Sequence, residues 1–455
     1  MATLLDSAHA EAVGIEPLPR SRQVLGAWDS FVLWADLGIS FLVMVVGMFL
    51  VPGLGLGDAL LAIVVGALIG NVLLGLAAII GQDVRMPTMA LLRGALGIRG
   101  SYLPTALNIL QLLGWATFEA VVVAQAADTV VARLFGLAGT YHAWVVAFTI
   151  VTLVLALGGP VLVTRQWLEK FAFWAVLVST VWMTIALLTS VDVGKLMAQP
   201  GTGDLTFWAG VDLVVALPIS WFPLVADYSR FARSRRAAFW GTGLGYFGAQ
   251  VWFYALGALL ALAAGAESDP SAPIAPLVAA IAGLTAGWAA LVILMVDETK
   301  EGFANVYSTA VSIQNLVPRA SQRTLIVGIC AVMFVGAWFL PLAEYESFLL
   351  LIGSAFVPLL GVMAADYFVL RGRRYEPDDL LNAPTGAAGV NWAFVASWLI
   401  GVALYLVIAG VPAFGLNGLA PWLGASLPSF VIAFVLTVAI GRVTERGPAP
   451  EAARS

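Results

Sequence analysis

Twelve apolar stretches alternate with short polar segments along the chain. An α-helix needs roughly 20 apolar residues to cross the hydrocarbon core of a bilayer, and each stretch is close to that length. They predict twelve membrane helices, called spans 1 to 12 here, at about residues 31–51, 58–80, 103–131, 143–159, 167–189, 208–230, 238–264, 286–312, 323–341, 346–370, 391–411 and 422–441.

Spans 1 and 6 each carry a predicted break. Span 1 places Asp36 and a glycine in its middle, within Trp34-Ala-Asp-Leu-Gly-Ile-Ser40. Span 6 contains Leu217-Pro-Ile-Ser-Trp-Phe-Pro223, and each proline removes a backbone donor and disturbs the preceding turn. The two spans are five apart, as inverted repeats of five helices require. Interrupted helices at matching positions of two halves indicate a midplane binding site of a secondary transporter.

The predicted fold class is an all-α polytopic membrane protein, although no repeat is visible residue by residue. The predicted organisation is a cytoplasmic N-terminal segment (1–30), a first inverted repeat with spans 1–5 (31–190), a second with spans 6–10 (207–370), a cytoplasmic loop (371–390), spans 11 and 12 (391–441) and a cytoplasmic tail (442–455).

Composition agrees with the hydrophobic pattern. The 455 residues are 61% hydrophobic and 11% charged, whereas soluble proteins carry about 25% charged residues. Residues 1–25 lack the apolar core of a signal peptide, so span 1 is expected to direct insertion. No phosphate-binding loop, metal cluster or nucleophile–base motif is visible, and there is no nucleic-acid signature. We therefore expect neither an enzyme nor a cofactor or metal.

Basic residues predict the orientation. With the N-terminus inside, all of the 22 lysines and arginines except Arg133, Lys195 and Lys300 fall on the inner side or at inner helix ends. This predicts a multi-pass protein of the cell membrane, inner or plasma, with both termini in the cytoplasm.

Span 8 carries charges inside an apolar context. Asp297, Lys300 and Glu301 have i, i+3 and i+4 spacing, so they share one helix face, with Asn305 at its edge. A charge at the bilayer centre costs roughly 2.5–3.5 kcal/mol on insertion scales. The spacing predicts a cation or proton site. The alternative is a neutralised buried network that only holds helices together.

Span 3 carries a polar and aromatic stripe. Gln111, Trp115 and Glu119 follow at i, i+4 and i+8 and therefore face one side of the helix. An indole can stack on a flat ring while an amide or carboxylate binds the hydrogens at its edge. The stripe fits a planar polar solute, although packing with interhelical hydrogen bonds explains it equally well. A buried Glu119 needs a partner, for which Lys300 and a substrate amine are candidates.

Three further residues lie beside the breaks. Ser40 and Ser220 place hydroxyls next to freed backbone groups, although a serine in a membrane helix commonly bonds its own backbone. Trp221 is more typical of a packing residue than of a ligand contact.

The sequence resembles the nucleobase–cation symporter family, in its purine–cytosine permease branch. The resemblance runs from about residue 14 to 375 and rests on ordered motifs at residues 14–20, 81–88, 99–104, 111–115, 226–231, 304–308 and 358–367. It implies a LeuT-like fold, with two inverted five-helix repeats and two C-terminal helices, working by alternating access. It also implies a nucleobase-like substrate held between spans 1, 3, 6 and 8.

The family's substrate contacts map onto the residues already singled out. A tryptophan of helix three stacks on the substrate, which corresponds to Trp115. A neighbouring amide or equivalent binds the ring edge, which corresponds to Gln111 or Glu119. The break in helix six corresponds to Ser220 and its neighbours.

The family's cation site uses backbone carbonyls at the first break, near Asp36 and Ile39, and polar side chains of helix eight. The matching positions are Asp297, Lys300 and Glu301. Sodium-coupled members place hydroxyls at the last two positions, and an ammonium cannot ligate sodium. Lys300 is able to take the place of the cation, so we expect proton coupling, with Lys300 or a neighbouring acid changing protonation.

The predicted function is import of cytosine or a purine by cation symport through a monomer in the bilayer. Within transport, the alternative is a sodium-coupled carrier of hydroxymethylpyrimidine, a thiamine precursor, or of a hydantoin-like ring. From other classes, the alternatives are a channel and a transporter-like sensor. The coupling cation, H⁺ or Na⁺, and the base are the expected small-molecule partners.

Overall fold

The computed structural model describes residues 14–163, 170–265, 274–339, 345–382, 389–411 and 415–444. Helices occupy the predicted positions of all twelve spans. Their bounds, in the order of the spans, are Ala27–Leu37 with Phe41–Phe49, Leu56–Val84, Tyr102–Phe135, Tyr141–Gly158, Phe173–Ser190, Phe207–Ser220 with Val225–Ser229, Thr242–Ala264, Gly287–Asp297 with Thr299–Leu316, Gln322–Phe339, Tyr345–Ala364, Trp392–Ala409 and Ser426–Thr444.

Within the described residues, ten helices are long and apolar enough to cross a membrane, or eleven with the bent first pair. Span 8 is the predicted span whose helices are not long and apolar enough to cross a membrane by this measure. Its first helix has 11 residues and its second begins with the charged run, so the two are too short or too polar by length and composition. The predicted count of twelve therefore depends on this polar span.

The predicted break of span 1 is a sharp bend. The two helices meet at 59° around residues 38–40. Ser40 begins the second helix as its N-cap, and its Oγ accepts a hydrogen bond from the Leu42 amide at 3.0 Å. A Cβ on Gly38 would lie 2.7 Å from Ala249 Cβ, so a glycine allows span 7 to approach the bend.

The predicted break of span 6 is milder. The helix stops at Ser220, and the chain makes one 3₁₀ turn at Phe222–Leu224 before Val225–Ser229. Pro223 has no amide hydrogen for the helical ladder, which accounts for the interruption. The segment still runs as one 23-residue span, Phe207–Ser229.

Several short elements were not expected from the hydrophobic pattern. The helices are Thr88–Leu96, Pro160–Leu162, Val193–Ala198, Ile274–Gly283 and Pro377–Leu381; 3₁₀ and π turns lie at Arg20–Arg22, Ala237–Gly241 and Ala365–Leu370; the strands Gly410–Val411 and Leu416–Asn417 pair antiparallel. The predicted cytoplasmic loop 371–390 thus contains a helix. It packs on Thr88–Leu96, where the Arg93 guanidinium donates to the Leu380 carbonyl at 3.0 Å.

The packing separates an inner group of spans from an outer one. Of the most apolar window of span 6, 94% is buried, against 22% for span 12, which therefore lies at the outside of the bundle. Span 1 packs mainly on span 7, span 2 on spans 6 and 7, and span 3 on span 8. When spans 1–5 are matched to spans 6–10, span 1 corresponds to span 6 and span 2 to span 7. The contact between spans 1 and 7 then corresponds to the contact between spans 6 and 2, as a twofold relation between the halves requires. The repeat boundaries themselves stay a prediction.

Candidate binding and coupling site

Lys300 lies at the bend of span 1, deep in the protein and fully buried. Its Nζ donates to the Ile39 carbonyl at 2.9 Å and to the Asp297 carboxylate, and Asp36 Oδ2 lies 3.9 Å away. The bend frees the Ile39 carbonyl from the helical ladder, and the i, i+3 spacing brings Asp297 to the ammonium. The structure thus brings together four of the five residues predicted for the coupling site.

The fifth residue, Glu301, lies elsewhere. Its side chain lines a cavity between spans 1, 3, 6, 7 and 8, and its Oε1 has no protein partner. The predicted helix face is therefore divided, with Asp297 and Lys300 at the bend and Glu301 at the cavity.

The cavity also receives most of the residues predicted to bind substrate. The space open to the centre of a water molecule is about 20 Å³, which is room for roughly one or two waters in this conformation. It is lined by Leu37, Ser40, Leu42, Val43, Trp115, Glu119, Leu217, Ser220, Trp221, Leu224, Tyr246, Glu301 and Asn305. Aromatic walls with a few polar groups are typical of small-molecule sites.

Trp115 and Glu119 form the span 3 side of the cavity. The Trp115 ring packs edge-on against Phe348, with centroids 5.1 Å apart at 68°. Glu119 was expected to meet Lys300 or a substrate amine. The structure instead places the carboxyl of Glu298 in hydrogen-bonding contact with it.

Gln111 does not line the cavity. Its Nε2 donates to Asn108 Oδ1 at 3.0 Å and to the Ser220 carbonyl at 2.9 Å. The second bond satisfies the Ser220 carbonyl, which the break of span 6 frees from the helical ladder. Gln111 therefore positions that break.

The residues at the break of span 6 combine lining and packing. Ser220 Oγ donates to the Leu217 carbonyl at 2.6 Å, the local bond expected of a serine in a membrane helix. Trp221 Nε1 donates to the Tyr246 hydroxyl at 2.9 Å, and its ring packs edge-on against Trp34. Trp221 therefore packs against spans 1 and 7 and also forms a wall of the cavity.

Glu298 is the residue that sequence reasoning missed. It is 1% exposed and accepts a hydrogen bond from the Phe41 amide at 2.5 Å and another from the Ser40 hydroxyl. It lies off the helix face of Asp297 and Lys300, which is why the spacing did not select it. The available signal was its place within the charged run, next to a predicted break.

These features define a multi-pass membrane protein with a polar site between broken helices, the arrangement of a secondary transporter. A family model described as permease for cytosine/purines, uracil, thiamine, allantoin matches residues 17–435. The chain belongs to this family of nucleobase–cation symporters.

Characterised relatives are permeases of ring compounds. The chain is 25% identical over 411 residues to a hydantoin permease of Microbacterium maritypicum, covering 85% of this chain and 82% of that protein. It is 25% identical over 400 residues to the cytosine permease of Escherichia coli K12 (85% and 87%). It is 24% identical over 429 residues to an allantoin permease of Bacillus subtilis (86% and 85%).

Solved structures share the fold. The transporter Mhp1 of the nucleobase-cation-symport-1 family, closed with bromovinylhydantoin bound, aligns with a TM-score of 0.78 at 22% identity, covering 95% of both chains. A Na⁺-coupled sialic acid symporter aligns at 0.67 and 14% identity, covering 99% of this chain and 96% of its own. The expected LeuT-like fold is confirmed.

Proposed function

We propose that this protein imports cytosine or a related amino-bearing base by proton symport. One observation supports the choice of cation above all: the Lys300 ammonium lies on the Ile39 carbonyl at the bend of span 1, next to Asp36 and Asp297. A positive charge is therefore already fixed where a carbonyl and carboxylates would favour a cation. Lysine cannot ligate a metal ion while it remains an ammonium.

The cavity supports the choice of substrate. Trp115 offers a flat apolar face, and Glu119 lies one helical turn further along the same wall. The unpartnered Oε2 of Glu119 can accept a hydrogen bond from the amine or the ring N–H of an aminopyrimidine or aminopurine. The cytosine permease among the relatives agrees with this class.

A hydantoin-like ring is the second candidate, because a hydantoin permease matches 85% of the chain. Such a ring presents carbonyl oxygens next to its N–H groups. Asn305 in the cavity wall has a side-chain amide that can donate to such a carbonyl. Uptake of a radiolabelled panel of cytosine, adenine, hypoxanthine, hydantoin and hydroxymethylpyrimidine separates the candidates.

We further propose the membrane location, the orientation and the working unit of the protein. The lysine and arginine distribution favours the cell membrane with both termini in the cytoplasm. One chain contains the whole cavity, which favours a monomer as the working unit.

Proteoliposome uptake tests the coupling. We expect accumulation of the transported base with an inward proton gradient, and no response to a sodium gradient. Lys300→Met should abolish accumulation, because Asp36 and Asp297 then lose their buried counter-charge. Lys195→Met, at an exposed lysine of the predicted outer side, is the matched control and should transport like the wild type.

Two results would contradict the proposal. Uptake that requires sodium and ignores protons removes proton symport. Wild-type accumulation by Lys300→Met removes Lys300 from the coupling.

A further inference from the structure

Two buried carboxyl groups, those of Glu119 and Glu298, lie within hydrogen-bonding reach of each other across spans 3 and 8. Glu119 and Glu298 are 3% and 1% exposed, and their side chains are in direct contact. An ionised carboxylate only accepts hydrogen bonds, so a bond between two carboxyl groups requires a proton on one of them. Two ionised carboxylates at this separation repel each other, so the contact favours a proton on one of them.

The surrounding charges favour a bound proton as well. Among the described residues around the bend and the cavity, one ammonium, Lys300, faces five carboxyl groups: Asp36, Glu119, Asp297, Glu298 and Glu301. The remaining titratable neighbour of Glu119 is the Tyr246 phenol of span 7, which supplies no positive charge. Four uncompensated buried charges would be very costly, so protonation of carboxyl groups is the available remedy.

Lys300 is committed to other partners. Its contacts are the Ile39 carbonyl, Asp297 and Asp36, all at the bend of span 1. An ammonium held by a carboxylate and a carbonyl retains its proton, because both partners stabilise the charged form. Lys300 is thus a fixed counter-charge.

The pair connects the cavity to the bend. Glu119 lines the cavity, and its Oε2 has no protein partner, so it is available to a solute or water there. Glu298 accepts from the Phe41 amide and the Ser40 hydroxyl, which stabilises its ionised form. The shared proton therefore resides on Glu119, at the surface that a substrate would touch.

We propose that the Glu119–Glu298 pair is the proton-binding site of the transport cycle, while Lys300 stays charged throughout. This inference rests on the proposed proton symport. One proton from the outer water bonds to a Glu119 carboxylate oxygen. The O–H bond breaks and the proton passes to the inner water when the cavity opens to the inner side and water solvates the ionised Glu119 carboxylate.

Glu298→Gln tests the pair without removing its shape, because the amide donates to Glu119 and carries no exchangeable charge. We expect loss of proton-driven accumulation of radiolabelled cytosine, or of the base in the panel that the wild type takes up fastest. Counterflow exchange of that base needs no net proton movement and should be retained. Glu298→Asp, which keeps a carboxyl group, should restore part of the accumulation.

Infrared spectroscopy gives a readout that does not depend on the substrate. Purified wild-type protein at neutral pH should show protonated-carboxyl C=O absorption that falls by the same amount in Glu119→Gln, in Glu298→Gln and in the double variant. Asp128→Asn, on span 3 but bonded to the Thr140 amide and hydroxyl, is the control and should keep the band.

Each contrary result has its own meaning. Normal proton-driven accumulation by Glu298→Gln, or a protonated-carboxyl absorption that is undiminished in both single variants, overturns the pair and leaves the proposed symport standing. Sodium-driven uptake by the wild type overturns the symport, and the pair's role with it, whatever the infrared band shows.

Discussion

The position of Trp115 is the most informative one for inferring the kind of solute that the cavity binds. Its ring is held edge-on by Phe348 and forms a wall of the cavity beside Glu119. A flat ring stacked on the indole would present its edge to the carboxyl group. Trp115 can thus stack on any flat ring, whereas Glu119 can distinguish rings by the groups at their edge.

Removing this surface should weaken binding of every base that the protein accepts. Stacking of a base on an aromatic side chain contributes about 1–3 kcal/mol, so Trp115→Ala should raise Kd about 5- to 150-fold. Trp115→Phe should lose much less, and Trp392→Ala, at a tryptophan that is 71% exposed, should lose nothing. Isothermal titration with the transported base measures these changes; an unchanged Kd for Trp115→Ala would exclude stacking.

At this scale the sequence predicts partners along one helix better than partners between helices. The contact of Asp297 with Lys300 follows from i, i+3 spacing alone. The contact of Lys300 with Ile39 was reached through the family resemblance. The role of Glu298 depends on a bend that turns the Phe41 amide toward span 8, and helical periodicity contains no information about that direction.

Spans 1 and 7 approach each other at two glycines. A Cβ on Gly257 would lie 1.9 Å from the Met44 carbonyl oxygen, and one on Gly47 would lie 2.1 Å from that of Tyr254. Small residues allow such contact between membrane helices, where van der Waals packing replaces the hydrophobic effect. This contact holds span 1, and hence the bend under Lys300, against span 7.

Gly257→Ala should therefore destabilise the protein, by about 1–3 kcal/mol as for other overpacked sites. Gly248→Ala is the matched control on the same helix, since its Cβ meets no atom within 4 Å. There the gain in helix propensity should keep or slightly raise the melting temperature. Tryptophan fluorescence of the detergent-purified variants during heating measures both; equal melting temperatures would contradict the close contact.

At the scale of the elements, the hydrophobic pattern predicts those helices that have long apolar runs. All twelve predicted spans contain helix, and the bend of span 1 falls at its predicted glycine and serine. Thr88–Leu96 and Pro377–Leu381 were missed because they are too short for a hydropathy window and are stabilised by contacts between each other. The break of span 6 was predicted, but its mildness was not, since a proline removes a bond without fixing an angle.

At the scale of the whole molecule, span 6 contacts the helix after span 2 at the proposed cytoplasmic end. Thr88 and the start of Val225–Ser229 bond reciprocally. The Ala226 amide donates to Thr88 Oγ1 at 2.9 Å, and the Thr88 amide donates to the Asp227 carboxylate at 3.1 Å. Alternating access requires contacts of this kind to open and re-form in each cycle.

Thr88→Val should shift the molecule toward opening on that side. It leaves the buried Ala226 amide without its acceptor, at a cost of about 1–3 kcal/mol, and a conformational ratio then changes about 5- to 150-fold. A cysteine at cavity residue Leu224, with Cys330→Ser as background, reports the change through faster labelling by an impermeant maleimide from the inner side.

Thr129→Val is the control for this measurement, since that hydroxyl bonds only the Gln125 carbonyl of its own helix on an exposed surface. Equal labelling of Thr88→Val and the control would show that the Thr88 contact does not govern opening.

The charged start of span 8 has a consequence for how the chain enters the membrane. Of the four charged residues Asp297, Glu298, Lys300 and Glu301, Glu298 and Lys300 find partners on spans 1 and 3, which are synthesised much earlier. Released alone into lipid, four such side chains would cost about 10 kcal/mol or more. We therefore expect spans 1 to 7 to stay at the insertion machinery until span 8 emerges. Span 8 would then enter the membrane together with the spans that carry its partners.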